Sequence, residues 1–263
     1  MEFINGKVMA CGGYDRTKAG YLNRCWALDL ESDEWQRLEG TLPGSVYEGK
    51  SITFRSTMMI FGGDSNGVRN WVQEYVIGND TWHTRTDLYM PVSLQRHCVV
   101  NVDDELIFVF GGATSVSLDS AHALNYTSGK WTDLPSMHDA RHDHTCLLWN
   151  MNGKRGILVV GGQCTGANCD VVGPLQSVEF FDFEKIRWET LYDSYLQEPR
   201  YAHGMSVLDG VPVVYGGQRN ATEILTSGER LEVDTWVKVE DMLVTSRTDF
   251  AYTDIPAEIV DCY

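Results

Sequence analysis

Short apolar runs, each stopped by a pair of glycines, recur along the chain. They read Val8-Met9-Ala10-Cys11 before Gly12-Gly13, Met58-Met59-Ile60-Phe61 before Gly62-Gly63, and Ile107-Phe108-Val109-Phe110 before Gly111-Gly112. Leu158-Val159-Val160 before Gly161-Gly162 and Val213-Val214-Tyr215 before Gly216-Gly217 complete the set. Runs this short, unbroken by polar residues and closed by turn formers, predict strands covered on both faces. Successive pairs stand 50, 49, 50 and 55 residues apart, and each is followed, 19–26 residues after its second glycine, by a tryptophan: Trp35, Trp82, Trp131, Trp188 and Trp236.

The material between the runs also repeats. After each glycine pair comes a polar loop, then a second strand such as Cys25–Leu28 or Val178–Phe181, a turn, and the tryptophan strand. A loop marked by Pro43, Pro91, Pro135 or Pro199 follows, and a further strand, as at His97–Val102 or Thr145–Trp149, leads into the next glycine pair. Four strands in every ~50 residues is the content of a propeller blade. The pattern predicts an all-β fold, a five-bladed β-propeller of four-stranded antiparallel blades, in one domain over residues 1–263. The glycines serve close backbone approach and positive φ, and the five tryptophans fill the gaps between adjacent blades. The chain opens almost directly on the Phe3–Cys11 run, so Arg247–Tyr252 is expected to supply the missing strand, closing the first blade with the C-terminal strand.

The glycine pair, the tryptophan some 20 residues on and the arginine before the following strand resemble the Kelch motif over essentially the whole chain. Resemblance to Kelch propellers implies a non-catalytic protein-protein interaction module, an adaptor or scaffold, that binds a partner protein with the loops at the channel mouth. Arg96, Arg141, Arg200 and Arg247 fall in the blade-to-blade loops, with Tyr47 in the first of them, and Arg69 and Arg219 in the loops after glycine pairs. Planar guanidinium donors suit carboxylates, so these residues and His142 form the expected docking set, for an acidic peptide segment of the partner. The loop Gln163–Gln176 is longer than its counterparts and carries Cys164 and Cys169, as two free thiols or as a local disulfide in an oxidising compartment.

Charge and chemistry narrow the classes further. With 21 basic against 37 acidic residues the net charge is −16, which disfavours nucleic acid. No apolar run is long enough to cross a bilayer and no leader is visible, so the default compartment is the cytoplasm, without membrane contact. Three Asn-x-Thr sequons, at Asn79, Asn125 and Asn220, keep open an extracellular recognition domain whose leader is missing. Seven cysteines cannot all pair within one chain. The run His138-Asp139-Ala140-Arg141-His142-Asp143-His144 is the densest chemical cluster, and the alternative reading is a propeller enzyme or a small-ligand or glycan-binding protein using it. Because His142 and His144 look like repeat positions, a scaffold role is preferred, with no metal and no cofactor. Some plant Kelch proteins hold iron with Glu, Asp and His four residues apart; here Glu189 and Asp193 are followed by Gln197, which argues against that activity.

Overall fold

The computed structural model describes residues 1–255 and contains five four-stranded antiparallel sheets. Blade 1 is Glu2–Ile4, Lys7–Cys11, Arg24–Asp29 and Glu34–Thr41; blade 2 is Lys50–Phe54, Thr57–Phe61, Val72–Val76 and Thr81–Thr84. Blade 3 is Cys98–Val102, Leu106–Phe110, Ala121–Asn125 and Lys130–Leu134; blade 4 is Thr145–Met151, Lys154–Val160, Val178–Asp182 and Arg187–Thr190. Blade 5 is Gly204–Leu208, Val211–Tyr215, Gly228–Glu232 and Thr235–Val239. The glycine-stopped runs are the second strands throughout, sandwiched between neighbouring sheets as their unbroken apolar character requires.

Both glycines of every pair have positive φ, and the reason is visible at Gly111-Gly112. A Cβ on Gly111 would lie 2.6 Å from the Arg141 carbonyl oxygen, and the Gly112 N–H donates to that same oxygen at 2.8 Å. The pair lets the outgoing connector close down on the blade it has just left. Each buried tryptophan packs against the preceding blade. Trp82 joins Ile4, Met9 and Leu42 of blade 1, Trp188 joins Phe108, Phe110 and Met137 of blade 3, and Trp236 joins Leu158, Phe180 and Leu196 of blade 4. Trp131 is half-buried and donates its indole N–H to the Leu88 carbonyl of blade 2 at 3.2 Å.

Closure of the first blade differs from expectation. The Phe3–Cys11 run is two strands, turned at Asn5-Gly6 with both residues at positive φ, so Glu2–Ile4 is itself the inner strand of blade 1. Arg247–Tyr252 forms no strand; Phe250 and Tyr252 pack on Tyr215 of blade 5 instead. The inner strands of blades 1 to 5 lie side by side in sequence, but those of blades 5 and 1 do not pack as the other neighbours do. Trp35, which would face that seam, is 45% exposed, and Trp26 beside it is 42% exposed. The gap-filling role assigned to all five tryptophans therefore holds for four.

Three disulfides join Cys11 to Cys25 across adjacent strands of blade 1, Cys98 to Cys146 between the inner strands of blades 3 and 4, and Cys164 to Cys169. Cys262 lies outside the described residues. Among the described residues no helix is long and apolar enough to cross a membrane.

Candidate docking face at the channel mouth

Each of the four connectors between blades, and the segment after blade 5, crosses the mouth with one residue in the left-handed region: Glu48, Arg96, Asp143, Ala202 and Asp249, all at φ of 51–58°. These residues hand a hydrogen bond from blade to blade. Arg96 N donates to the Glu48 carbonyl at 2.8 Å, Asp143 N to that of Arg96 at 2.9 Å, Ala202 N to that of Asp143 at 2.8 Å, and Asp249 N to that of Ala202 at 3.1 Å. A second set of bridges ties Tyr47 to Asp64, Gln95 to Ala113, His142 to Gln163 and Tyr201 to Gln218, joining each connector to the first residue after a glycine pair. Backbone pairing of this kind holds the loops in one arrangement.

This geometry re-registers the arginines. Arg96 occupies the left-handed position, whereas Arg141 and Arg200 stand two residues earlier, where blades 2 and 3 have Val46 and Leu94. Arg96 is partly exposed; its guanidinium reaches Glu48 at 2.5 Å and Asp143 at 3.6 Å. Arg141 and Arg200 are fully buried and cannot meet a partner. Arg141 donates to the Gly161 carbonyl at 2.7 Å, the Ser177 hydroxyl at 3.0 Å and the Glu179 carboxylate at 2.7 Å, while its own carbonyl is held by Gly112. Arg200 repeats the arrangement one blade later with Gly216, Ser227 and Glu229. Both are rivets between blades rather than anchors for ligands. Glu179 also accepts the N–H groups of His138 and Asp139. These bonds and the Arg141 charge hold its carboxyl below the usual range against the opposing effect of burial.

The remaining expected docking residues are scattered. Arg247 is exposed. Arg219 is exposed between Glu198 and Glu223, at 3.7 and 3.6 Å. Arg69 is half-buried over the Trp71 ring and donates to the Ser65 carbonyl. His142 is buried with Nδ1 2.8 Å from the Ser117 hydroxyl, so it is unavailable at the surface. Tyr47 sits at the mouth with Tyr14 and Tyr21, ring centroids 5.4–6.4 Å apart. Burial and the adjacent Glu48 push its phenol up to about 12.

The histidine cluster separates in the same way. His138 bonds Glu179, while His144 repeats as His97 and His203, each ring edge lying against the first glycine of the preceding blade's pair. Among the described residues no three His, Cys, Asp or Glu side chains converge as metal ligands would. Asp143 is buried in the mouth, and desolvation pushes its carboxyl up to about 6. A cavity of about 340 Å³ opens here, lined by Glu48, Lys50, Arg96, Asp143, His144 and Asp249 among others.

Sequence reasoning missed the apolar tip of the long loop after the fourth glycine pair. The Cys164–Cys169 disulfide braces that loop, and Thr165 and Asn168 bond Ser117 of the neighbouring blade. Val171 and Val172 are left 67% and 69% exposed at the tip. Two adjacent valines in a loop whose only other large aliphatic residue is Leu175 were the available signal.

The sequence profile of the Attractin/LZTR1 β-propeller matches residues 1–219, and the chain belongs to that family. It is 22% identical to Kelch domain-containing protein 10 of Xenopus tropicalis, over 84% of this chain and 55% of that protein. It is 31% identical to the tRNA wybutosine-synthesizing protein 4 of Homo sapiens, over 46% of this chain and 18% of that protein. The chain thus spans about half the length of the Kelch relative. The solved structure titled "Structure of YjhT" superposes with a TM-score of 0.74 at 12% identity, covering 90% of this chain and 82% of that one, a likeness of fold.

Proposed function

We propose that the chain is a non-catalytic protein-interaction module that docks a partner on the channel-mouth face. One observation carries the reading: the mouth connectors are locked to one another by backbone hydrogen bonds, and the loops after the first and fourth glycine pairs beside them present exposed anchors in Tyr14, Val171 and Val172. A surface ordered in advance loses little entropy on binding, and aromatic side chains are frequent hot spots. The Kelch relatives support a protein partner in general terms. Three disulfides favour an oxidising compartment over the cytoplasmic default, which supports the extracellular form of the reading.

The test is a cross-linking capture with the whole chain as bait, run beside two variants. Tyr14→Ala with Val171→Ser and Val172→Ser alters the mouth; Glu184→Gln with Asp209→Asn alters turns on the opposite face. The expected result is one protein set captured by the parent and the far-face variant and lost, at least tenfold, from the mouth variant. Equal capture by all three, or loss only from the far-face variant, overturns the assignment of the face.

A further inference from the structure

The three sequons are not used by the docking face, and the fold distributes them unevenly. In an antiparallel blade the turn joining strands three and four lies on the side opposite the glycine pairs and connectors. Asn79 lies in that turn of blade 2, between Val72–Val76 and Thr81–Thr84. Asn125 ends the third strand of blade 3, at the same turn of the adjoining blade. Two neighbouring blades therefore carry a sequon in the same turn, three residues apart in register, on the face away from the mouth. Asn220 is on the mouth side, in the ribbon Gln218–Asn220 that pairs with Glu223–Ile224.

The local geometry leaves the two far-face amides free to be substituted. Asn79 is exposed, and its Oδ1 accepts from the Thr81 hydroxyl at 2.7 Å, the hydroxyl of its own sequon. The Asn125 Oδ1 accepts from the Ser128 N–H and hydroxyl, both at 2.9 Å. Neither Nδ2 makes a hydrogen bond within the described residues, so a substituent there breaks no hydrogen bond of the fold. The Asn220 Nδ2, in contrast, donates to Glu223 at 3.0 Å. Disulfide formation and asparagine glycosylation occur along the same secretory route, so three disulfides are an independent observation in the same direction.

We propose that Asn79 and Asn125 are N-glycosylation sites, and that their glycans cover the far face and leave the channel mouth as the open side of the propeller. The inference rests on the oxidising-compartment part of the functional reading. The donor is an oligosaccharide linked through pyrophosphate to a polyprenol, supplied with its transferase by the secretory route. A bond forms between the asparagine Nδ2 and the anomeric carbon, the bond from that carbon to the pyrophosphate oxygen breaks, and the polyprenyl pyrophosphate leaves. The amide nitrogen gives up one proton and no oxidation state changes.

The experiment expresses the whole chain behind a cleavable leader in a eukaryotic secretory host. Peptide mass spectrometry after endoglycosidase treatment reads occupancy at each sequon, and intact mass under alkylating, non-reducing conditions reads free thiols. Expected are occupancy above one half at both Asn79 and Asn125, stepwise loss of one glycan each in Asn79→Gln and Asn125→Gln, and six cysteines protected from alkylation. Asn220→Gln is included so that any glycan there is subtracted. Bare Asn79 and Asn125 with six protected cysteines overturn the glycan inference and leave the compartment reading standing. Bare asparagines with alkylated cysteines overturn both.

Discussion

The seam between blades 3 and 4 and the edge where blade 5 approaches blade 1 are made from corresponding stretches of sequence, yet only the first is a built interface. At the inner seam the connector residue Arg141 is held by its carbonyl to Gly112 and by its guanidinium to Gly161, Ser177 and Glu179, with Trp188 packed on Phe110 alongside. At the edge, Gly217 holds the Arg247 carbonyl in the same way at 2.8 Å. The next blade supplies no counterpart of Glu179, because that strand position in blade 1 is Trp26, and the Arg247 side chain stays exposed. A repeat motif specifies half of an interface; the adjoining blade must specify the other half.

The largest test of this contrast is the buried ion pair. Arg141→Ala leaves the Glu179 carboxylate buried beside unsatisfied carbonyls, a situation that typically costs about 3–5 kcal/mol. Arg247→Ala removes an exposed side chain and is expected to stay within about 0.5 kcal/mol. Urea denaturation midpoints at pH 7 measure both. Similar losses would show that Arg247 has a buried partner and that the edge is riveted like the seam.

The tryptophans give the next effect. Trp188→Ala should destabilise by about 3 kcal/mol through lost burial and a residual cavity, whereas Trp35→Ala should cost less than about 1 kcal/mol. Acrylamide quenching of single-tryptophan variants sharpens the same comparison, since Trp35 should be quenched readily and Trp188 scarcely. A protected Trp35 would mean that the edge is covered.

Much of this was legible in the sequence, and the failures have physical causes. Five blades and four strands per blade follow from the glycine pairs because both glycines must adopt positive φ to receive a connector carbonyl. The inner strand of blade 1 was also written in the chain: Asn5-Gly6 is a strong two-residue hairpin signal, and Asp209-Gly210 and Asn152-Gly153 turn the corresponding hairpins of blades 5 and 4. Reading Phe3–Cys11 as one strand overlooked that turn and created a vacancy for the C-terminal segment to fill. The burial of Arg141 and Arg200 was not legible, because its sign depends on Glu179 and Glu229, 38 and 29 residues away in sequence. Arg96 looked equivalent to them because all three fall in blade-to-blade loops; the backbone, through five left-handed residues, sets the true register.

The smallest effect concerns four buried histidines, three of which the repeat places against glycine. His97 is held near 3 and His142 near 4, and His144 and His203 lie well below the ordinary value, burial being the first cause in each. Their native pKa values are depressed relative to the unfolded ~6.5, so the stability they allow is present above that value and is lost as pH falls toward the native ones. Asp143 acts oppositely: its carboxyl, raised to about 6, relieves a penalty as pH falls from 7 toward 4. Desolvation raises Asp249 in the same direction. Four histidines against two aspartates give net acid destabilisation between pH 6.5 and 4. Blade 5 shows how to remove one contribution, since Phe250 occupies against Gly216 the place that His144 takes against Gly111. His144→Phe should therefore flatten the fall in stability by about 1.4 kcal/mol per pH unit below 6.5, read as urea midpoints at pH 7, 6 and 5. His203→Phe provides the same reading if the first variant packs poorly. An unchanged slope in a variant that folds as well as the parent at pH 7 would mean that these imidazoles are already solvated in the native state, and that the connectors sit less tightly on their glycines than the inner seams require.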